Sequence, residues 1–166
     1  MNGNTSPALS GRVVSLHVHP VEPGAPLQTV EMVEAIEGKG IFGDPRYFCR
    51  VSRETGRLSR RQVSLIEREQ IAEHASTLGV ASISPGAVRA QVETDGINLV
   101  ELVGREIEVG EAVLFFFAPR TPCAKMDAVC QGLRQLMMNN QQGVVAEVVR
   151  SGKIRSGDLI RPRPGK

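Results

Sequence analysis

Short apolar stretches separated by glycine fill the second half of the chain, and this pattern restricts the fold more than any other feature. Within residues 84–120, the strand-like runs are separated by Asp95-Gly96, Gly104 and Val109-Gly110-Glu111. Residues 143–163 follow the pattern of a strand, a glycine turn and a second strand. Turn residues at such short intervals leave room for strands but not for intervening helices. The pattern therefore predicts an antiparallel or mixed β-barrel rather than a βαβ sheet.

Helical spacing occurs in two segments only. Residues 64–77 carry apolar side chains at helical intervals, with Ser64 as a possible N-cap and Glu67 three residues later. Residues 126–138 contain no proline and fit a second helix. Two further strands are predicted near the N-terminus, at residues 11–19 and 27–37. The predicted fold class is thus mostly β with peripheral helices, or α+β.

A chain of 166 residues fits one domain, which we expect over residues 11–162, after a disordered lead-in at residues 1–10. Apolar residues make up 41% of the chain, and no apolar stretch approaches the roughly 20 residues of a membrane-spanning helix. We therefore do not expect a membrane protein. Because the first residues lack the basic and apolar regions of a secretion signal, the expected compartment is the cytoplasm.

Arginine dominates the positive charge of the chain and indicates an anionic ligand. The net charge is only +2, but 16 of the 20 basic residues are arginine. A guanidinium group captures phosphate or carboxylate in a bidentate manner, which lysine does not. The chain has one tyrosine and no tryptophan, and it lacks a dense basic run and any base-stacking or groove-reading motif. A nucleic-acid partner is therefore not expected.

Cys123 is the main candidate for chemistry, with two readings open. Three cysteines are too few and odd in number for a secreted disulfide scaffold, so free thiols are expected. A free cysteine is most often an inert buried side chain. However, Pro119 and Pro122 direct Cys123 into a strand-to-helix connection, where it can face a cleft. There Arg120, Lys125 and free helix N–H groups would favour the thiolate, which is a nucleophile and a soft metal ligand.

Other thiol and imidazole groups are weaker candidates. Cys130 lies seven residues after Cys123 and reads either as a core side chain or as the second half of a redox pair. No zinc-binding spacing is present. His17 and His19 fall on the same face of a predicted strand, so they are either a metal-binding pair or two hydrogen-bonded histidines.

Two short segments offer ligand-binding backbone and side chains. Gly43 and Asp44 lie in a glycine-punctuated stretch that suits either a turn or close approach to a ligand. Arg89 and Gln91, after a Pro-Gly turn, are predicted on one face of a strand. There they would hold a phosphate and an amide-rich ring, or else point into solvent.

Four segments, taken in order, resemble the MOSC family, the molybdenum cofactor sulfurase C-terminal domain. They are residues 40–45, 61–71, 84–123 and 143–160. The resemblance implies a β-barrel with peripheral helices. It also implies that Cys123 corresponds to the family's cysteine, which ligates molybdenum in the amidoxime-reducing members and in other contexts is proposed to carry sulfane sulfur.

The same resemblance assigns further residues to cofactor binding. By position in the motifs they are Gly43, Asp44, Arg89, Gln91, Arg120 and Thr121. Arg60 or Arg61 is expected to help Arg89 hold the anionic pterin phosphate. Two positions depart from the family pattern. Gln91 stands where asparagine is usual, and Pro45-Arg46-Tyr47 follows Asp44 where many stand-alone members have an arginine-histidine pair.

Two functions follow as hypotheses. The first is a molybdenum cofactor (molybdopterin) protein that reduces N-hydroxylated compounds with the Cys123 thiolate on the metal. Its electrons would come from a separate reductase, because no flavin, iron–sulfur or nicotinamide motif is present. The second is a sulfur carrier or cofactor-delivery module with a Cys123 persulfide, supplied by a partner such as a cysteine desulfurase. Pyridoxal phosphate is not expected, because no lysine lies in a Schiff-base context.

Overall fold

The structure, a computed structural model, describes residues 10–164. The strands, in chain order, are β1 Gly11–Val18, β2 Gln28–Val30, β3 Met32–Ile36, β4 Gly40–Ile41, β5 Val63–Glu67, β6 Val92–Asp95, β7 Glu106–Val109, β8 Ala112–Pro119, β9 Val144–Arg150, β10 Gly152–Arg155 and β11 Leu159–Pro162. The helices are α1 Arg68–Thr77, α2 Lys125–Val129 and α3 Leu133–Leu136, with a 3-10 turn at Val100–Leu102. Of the lead-in predicted at residues 1–10, all but Ser10 lies outside the described residues.

Seven strands close into a mixed barrel, which confirms the predicted fold class. Their order is β11-β7-β8-β9-β5-β6-β1, and β11 pairs with β1 to complete the ring, while β2 extends the sheet beyond β1. The β5–β6 pair is parallel, and the other pairs of the ring are antiparallel. Strands β10, β3 and β4 form a second sheet. Among residues 10–164, no helix is long and apolar enough to cross a bilayer.

Strand β5 separates two apolar cores. Leu65 packs inside the barrel with residues such as Leu16 and Phe116. Ile66 points the other way, into a cluster formed by the helices and the loops beside them. Because both faces of β5 are buried, its apolar run is nearly continuous rather than alternating. This arrangement fixes the helices on one outer side of the barrel.

The predictions for helices and early strands are wrong in detail. Ser64 does not cap a helix but lies within β5, and α1 begins at Arg68 without a side-chain cap. The predicted helix at residues 126–138 is two short helices, because Cys130 is extended and Gly132 has a φ of 93°. Asp127 stabilises this break, since its Oδ1 accepts the N–H groups of Gly132 and Arg134. The strand predicted at residues 27–37 divides between two sheets.

Gly143, at the entrance to β9, is expected to be essential for stability. It has a φ of +75°, and an added Cβ would overlap the carbonyl oxygen of Leu65 in the neighbouring strand. Gly143→Ala should therefore lower the free energy of unfolding by about 3 kcal/mol or more, measured by chemical denaturation. Gly104→Ala is the control, because Gly104 has a φ of +93° with nothing within 4 Å of the added Cβ. Gly104→Ala should lower the free energy of unfolding only by the roughly 1–2 kcal/mol that a left-handed backbone costs a non-glycine residue. Equal losses in the two variants would contradict the proposed overlap at Gly143.

Candidate functional site

A cavity of about 320 Å³ lies where β1 and β8 end and where β5 and β9 begin. Its size is at the lower end of the range for small-molecule sites. The connection from β8 to α2 forms one wall, and the loop after β4 forms another. The lining residues are His19, Arg46, Tyr47, Arg61, Val63, Ser64, Arg89, Arg120, Thr121, Cys123, Lys125, Met126, Gln142 and Val145.

Five cationic side chains line this cavity, and no carboxylate of residues 10–164 does. They are Arg46, Arg61, Arg89, Arg120 and Lys125. None of them forms an ion pair with a residue in the described part of the chain. A concave surface with uncompensated positive charge concentrates anions. The arrangement therefore suits a ligand with a phosphate or carboxylate group.

Arg120 is the cation held most firmly. Its guanidinium group donates to the carbonyl oxygens of Val88, at 3.2 Å, and Gln142, at 3.5 Å. Burial lowers the pKa of Arg120 to about 10, and the charge of Arg61 acts in the same direction, while Tyr47 and Cys123 oppose it. Arg120 thus remains protonated at neutral pH. Its position near the thiol places a fixed positive charge beside any anion bound there.

The thiol of Cys123 is exposed and lies in the cavity wall. Arg120 and Lys125 line the same cavity, so the expected positive surroundings are present. The helix contribution is small, because α2 has only five residues and the Met126 N–H already donates to the Cys123 carbonyl at 3.1 Å. Cys130 does not line the cavity and is half-buried against the helical core. All three cysteines are free thiols.

Asp44 lies behind the cavity rather than in its wall. Its Oδ2 accepts the Nδ1–H of His19 at 2.9 Å, the backbone N–H of His19 at 3.1 Å and Nε2–H of Gln91 at 3.0 Å. Its Oδ1 accepts the backbone N–H groups of Arg46, at 2.9 Å, and Tyr47, at 3.2 Å. Asp44 thereby ties the end of β1 to the loop that supplies Arg46 and Tyr47.

The same contacts decide the charge of Asp44. Burial alone would raise the pKa of this carboxyl, but the hydrogen bonds and positive charge of His19, together with the N–H of Arg46, lower it to about 2. Asp44 is therefore ionised across the physiological range. An ionised Asp44 only accepts hydrogen bonds, so Nδ1 of His19 carries a proton and its other nitrogen, Nε2, is left for the cavity.

The prediction that Arg89 and Gln91 share one face of a strand is wrong. Strand β6 begins only at Val92, and Arg89 is a left-handed residue with a φ of 64° that ends the preceding turn. Its side chain reaches the cavity. Gln91 is buried and exchanges hydrogen bonds with Ser64: the Gln91 N–H donates to Oγ and the Ser64 N–H donates to Oε1, both at 3.0 Å.

The structure thus divides the predicted site residues into two groups. Arg61, Arg89, Arg120, Thr121 and Cys123 come together in the cavity wall. Gly43, Asp44 and Gln91 do not line it. Asp44 and Gln91 form a supporting layer, and Gly43, with a φ of 84°, permits the turn that delivers Asp44 to that layer.

Among the wall residues outside the predicted cofactor-binding set are His19, Tyr47 and Gln142. His19 brings an imidazole to the wall, and Tyr47 packs against it edge-to-face with ring centroids 5.1 Å apart. A polar residue directly after a buried strand was the available signal. Gln142 gave no signal, yet its Oε1 is buried at the cavity without a partner among residues 10–164.

His17 and His19 are each oriented by a separate hydrogen bond from Nδ1. His19 donates from Nδ1 to Asp44, and His17 donates from Nδ1 to the Ala90 carbonyl at 3.0 Å. Within the described residues, no group of three or more His, Cys, Asp or Glu side chains is arranged to hold a metal ion.

A closed β-barrel with a strongly cationic cavity and one exposed thiol defines a class of protein suited to small anionic ligands. Residues 37–161 match the sequence profile described as the MOSC domain. The chain therefore belongs to the MOSC domain family, which is associated with binding of the molybdenum cofactor. The resemblance inferred from the sequence is thus confirmed.

Solved structures share the fold. The chain is 22% identical to the YuaD protein from Bacillus subtilis, with a TM-score of 0.78 over 91% of this chain and 94% of that one. It is 18% identical to YiiM from Geobacillus stearothermophilus, with a TM-score of 0.67 over 93% and 75% of the two chains. For YiiM from Escherichia coli the identity is 19% and the TM-score 0.64, over 94% and 71%. Among curated proteins, none is significantly similar.

Proposed function

We propose that this chain binds the molybdenum cofactor in the cavity, with the Cys123 thiolate on the metal, and reduces N-hydroxylated compounds. One observation carries the proposal: an exposed thiol lies in the wall of a cavity that has five cations and no described carboxylate. A thiolate suits a metal that the pterin already binds through sulfur. The cations suit the phosphate of the same cofactor.

The remaining wall residues also fit this group. Arg61, Arg89, Arg120 and Lys125 would hold the phosphate. The unpartnered Oε1 of Gln142 would accept a hydrogen bond from an N–H of the pterin, which would satisfy a buried acceptor that otherwise destabilises the fold. When bound, the cofactor would supply the two-electron chemistry that reduces the N–O bond, and the protein would supply binding and orientation.

His19 is the proposed proton donor. Reduction of R–NH–OH to R–NH2 and water consumes two electrons and two protons. Asp44 accepts Nδ1–H, so the imidazolium form of His19 would present Nε2–H to the cavity that it lines. It would give one of these protons to the hydroxyl oxygen, which leaves as water, and solvent would give the other to the nitrogen. The electrons would come from a separate reductase. The three free thiols are compatible with a reducing compartment such as the cytoplasm.

His19→Ala tests this role without removing the cofactor site. Loss of a general acid typically costs 10²–10⁴-fold, so we expect kcat to fall by about 100-fold or more while molybdenum content is unchanged. Added imidazole should restore part of the activity of this variant. Unaltered kcat, or a fall that imidazole does not relieve, would contradict the assignment.

The proposed activity can be measured directly. The protein is made in a host that synthesises the molybdenum cofactor and is assayed with reduced methyl viologen as electron donor and benzamidoxime as substrate. We expect conversion to benzamidine in proportion to the molybdenum content. Loaded protein that produces no benzamidine, with either this donor or dithionite, would contradict reduction of N-hydroxylated compounds.

A second function rests on the accessibility of Cys123. An exposed thiolate on a connecting loop can attack the outer sulfur of a donor persulfide, forming Cys123–S–SH and releasing the donor thiol. A cysteine desulfurase would supply that persulfide. Stoichiometric cyanide-releasable sulfur on wild-type but not Cys123→Ser protein, in samples without molybdenum, would favour sulfur carriage over metal binding.

A further inference from the structure

A second cavity of about 220 Å³ adjoins the first and has no role in the function proposed so far. The two cavities share three wall residues: His19, Arg46 and Arg89. The outer wall of the second cavity is the loop that follows β1. Its full lining is His19, Pro20, Val21, Glu22, Pro23, Gly24, Pro45, Arg46, Arg50 and Arg89.

The charge in this second cavity is strongly positive. Arg46, Arg50 and Arg89 line it, and none of the three has an ion-pair partner in residues 10–164. The one carboxylate in the lining is that of Glu22, which is exposed. Three guanidinium groups around one opening provide paired N–H donors for an oxyanion.

Each of these arginines contacts a neighbouring group of the chain without a ligand. The guanidinium groups of Arg46 and Arg50 lie 5.9 and 5.7 Å from the centroid of the Tyr47 ring. Arg89 donates to the carbonyl oxygen of Ala25 at 3.2 Å, which fastens it to the outer loop. Fewer degrees of freedom are then lost on binding, so a given set of contacts yields a higher affinity.

The outer loop is also restrained. Residues 20–26 contain three prolines, which limit the backbone conformations available to this wall. Arg89 has a φ of 64°, a conformation that non-glycine residues adopt rarely and that is concentrated at functional sites. The prolines of the outer loop and the backbone of Arg89 therefore restrain the walls of this cationic recess.

We propose that the second cavity is an anion-binding subsite that receives a phosphate or carboxylate group of the substrate. This assignment rests on the proposed function, in which the first cavity holds the cofactor. His19 borders both cavities, so a substrate anchored here by its anionic group would carry its N-hydroxyl group towards Nε2 of His19. The chain would then prefer anionic N-hydroxylated compounds over neutral ones of similar size.

The first arm of the test needs no cofactor. Binding of inorganic phosphate and of benzoate to the cofactor-free protein is measured by calorimetry for wild type, Arg50→Gln and Arg53→Gln. Arg50 lines only the second cavity, and Arg53 is exposed and lines neither. We expect Arg50→Gln to weaken binding of at least one anion by about tenfold or more, and Arg53→Gln to leave it unchanged. Equal affinities in all three proteins would overturn the subsite.

The second arm uses the molybdenum-loaded enzyme with benzamidoxime and its 4-carboxy derivative. Arg50→Gln should raise KM for the carboxylated compound by about tenfold, with kcat and the kinetics of benzamidoxime unchanged. A parallel change for both substrates would overturn the proposal. If Arg50→Gln instead loses molybdenum and pterin, the cavity holds the cofactor's own phosphate and the proposal is wrong. Absence of turnover in wild type would contradict the proposed function only, since the first arm stands without it.

Discussion

Cys123→Ser is expected to fold like the wild type and to lose reduction of N-hydroxylated compounds by about 100-fold or more. Changing a residue that merely supports a metal ligand costs roughly 10–100-fold, so loss of the ligand itself should cost at least as much. Serine is similar in size to cysteine, but its hydroxyl remains protonated at neutral pH and is a hard ligand. Because Cys123 is exposed, the free energy of unfolding should hardly change.

Cys49→Ser is the matched control for this variant. Cys49 is also a free and exposed thiol, and it lines neither of the two cavities. It should retain wild-type turnover of benzamidoxime with reduced methyl viologen. Comparable activity in the two variants would mean that Cys123 takes no part in the reaction.

Asp44→Asn is expected to have the largest effect on stability among substitutions in the supporting layer. The carboxylate accepts hydrogen bonds from His19, Gln91, Arg46 and Tyr47. An asparagine offers only one oxygen, so its NH2 group must face donors on one side. Buried N–H groups would then lack an acceptor, which should lower the free energy of unfolding by about 3 kcal/mol. Activity should fall as well, because His19 loses the acceptor that fixes its proton on Nδ1.

The pH dependence of this effect has a defined sign. The pKa of Asp44 is about 2 in the folded protein and near 3.8 when unfolded. Its ionised form therefore adds stability above pH 4, on the order of 2 kcal/mol, and that contribution is lost as the pH falls from 4 towards 2. The difference in stability between wild type and Asp44→Asn should accordingly shrink over this range in denaturation experiments.

Asp95→Asn serves as the control, because Asp95 is an exposed carboxylate at the end of β6 whose side chain bonds to no other described residue. The free energy of unfolding of Asp95→Asn should differ from that of the wild type by no more than about 0.5 kcal/mol, as is usual for surface substitutions. A stability loss in Asp44→Asn that stays constant between pH 2 and 6 would contradict the account of the buried carboxylate.

The fold was predictable from local signals where those signals agreed with the tertiary environment. Glycine turns and short apolar runs predicted the barrel because each strand is bounded by its own turn. The signals failed at Ser64, where a capping pattern lies inside a strand that is buried on both faces. They failed again at Gly132, because the hydrogen bonds of Asp127 that stabilise the helix break depend on tertiary geometry.

The site residues were also predictable only where local sequence signals determine their position. Two prolines take Cys123 out of the preceding strand, so its exposure could be inferred locally. The distinction between wall and supporting layer could not be inferred, since it depends on which way Asp44 and Gln91 turn after left-handed residues. The sequence could place His19 directly after a buried strand, but the pairing of β1 with distant strands is what brings it to the cavity.

The central claim is that Cys123 holds a molybdenum cofactor in the cationic cavity. The most direct test is the molybdenum content per chain, by elemental analysis, of wild type, Cys123→Ser and Cys49→Ser made together in a host that synthesises the cofactor. We predict about one molybdenum with an equal amount of pterin in wild type and Cys49→Ser, and close to none in Cys123→Ser. No molybdenum in the wild type, or equal amounts in all three proteins, would contradict the claim.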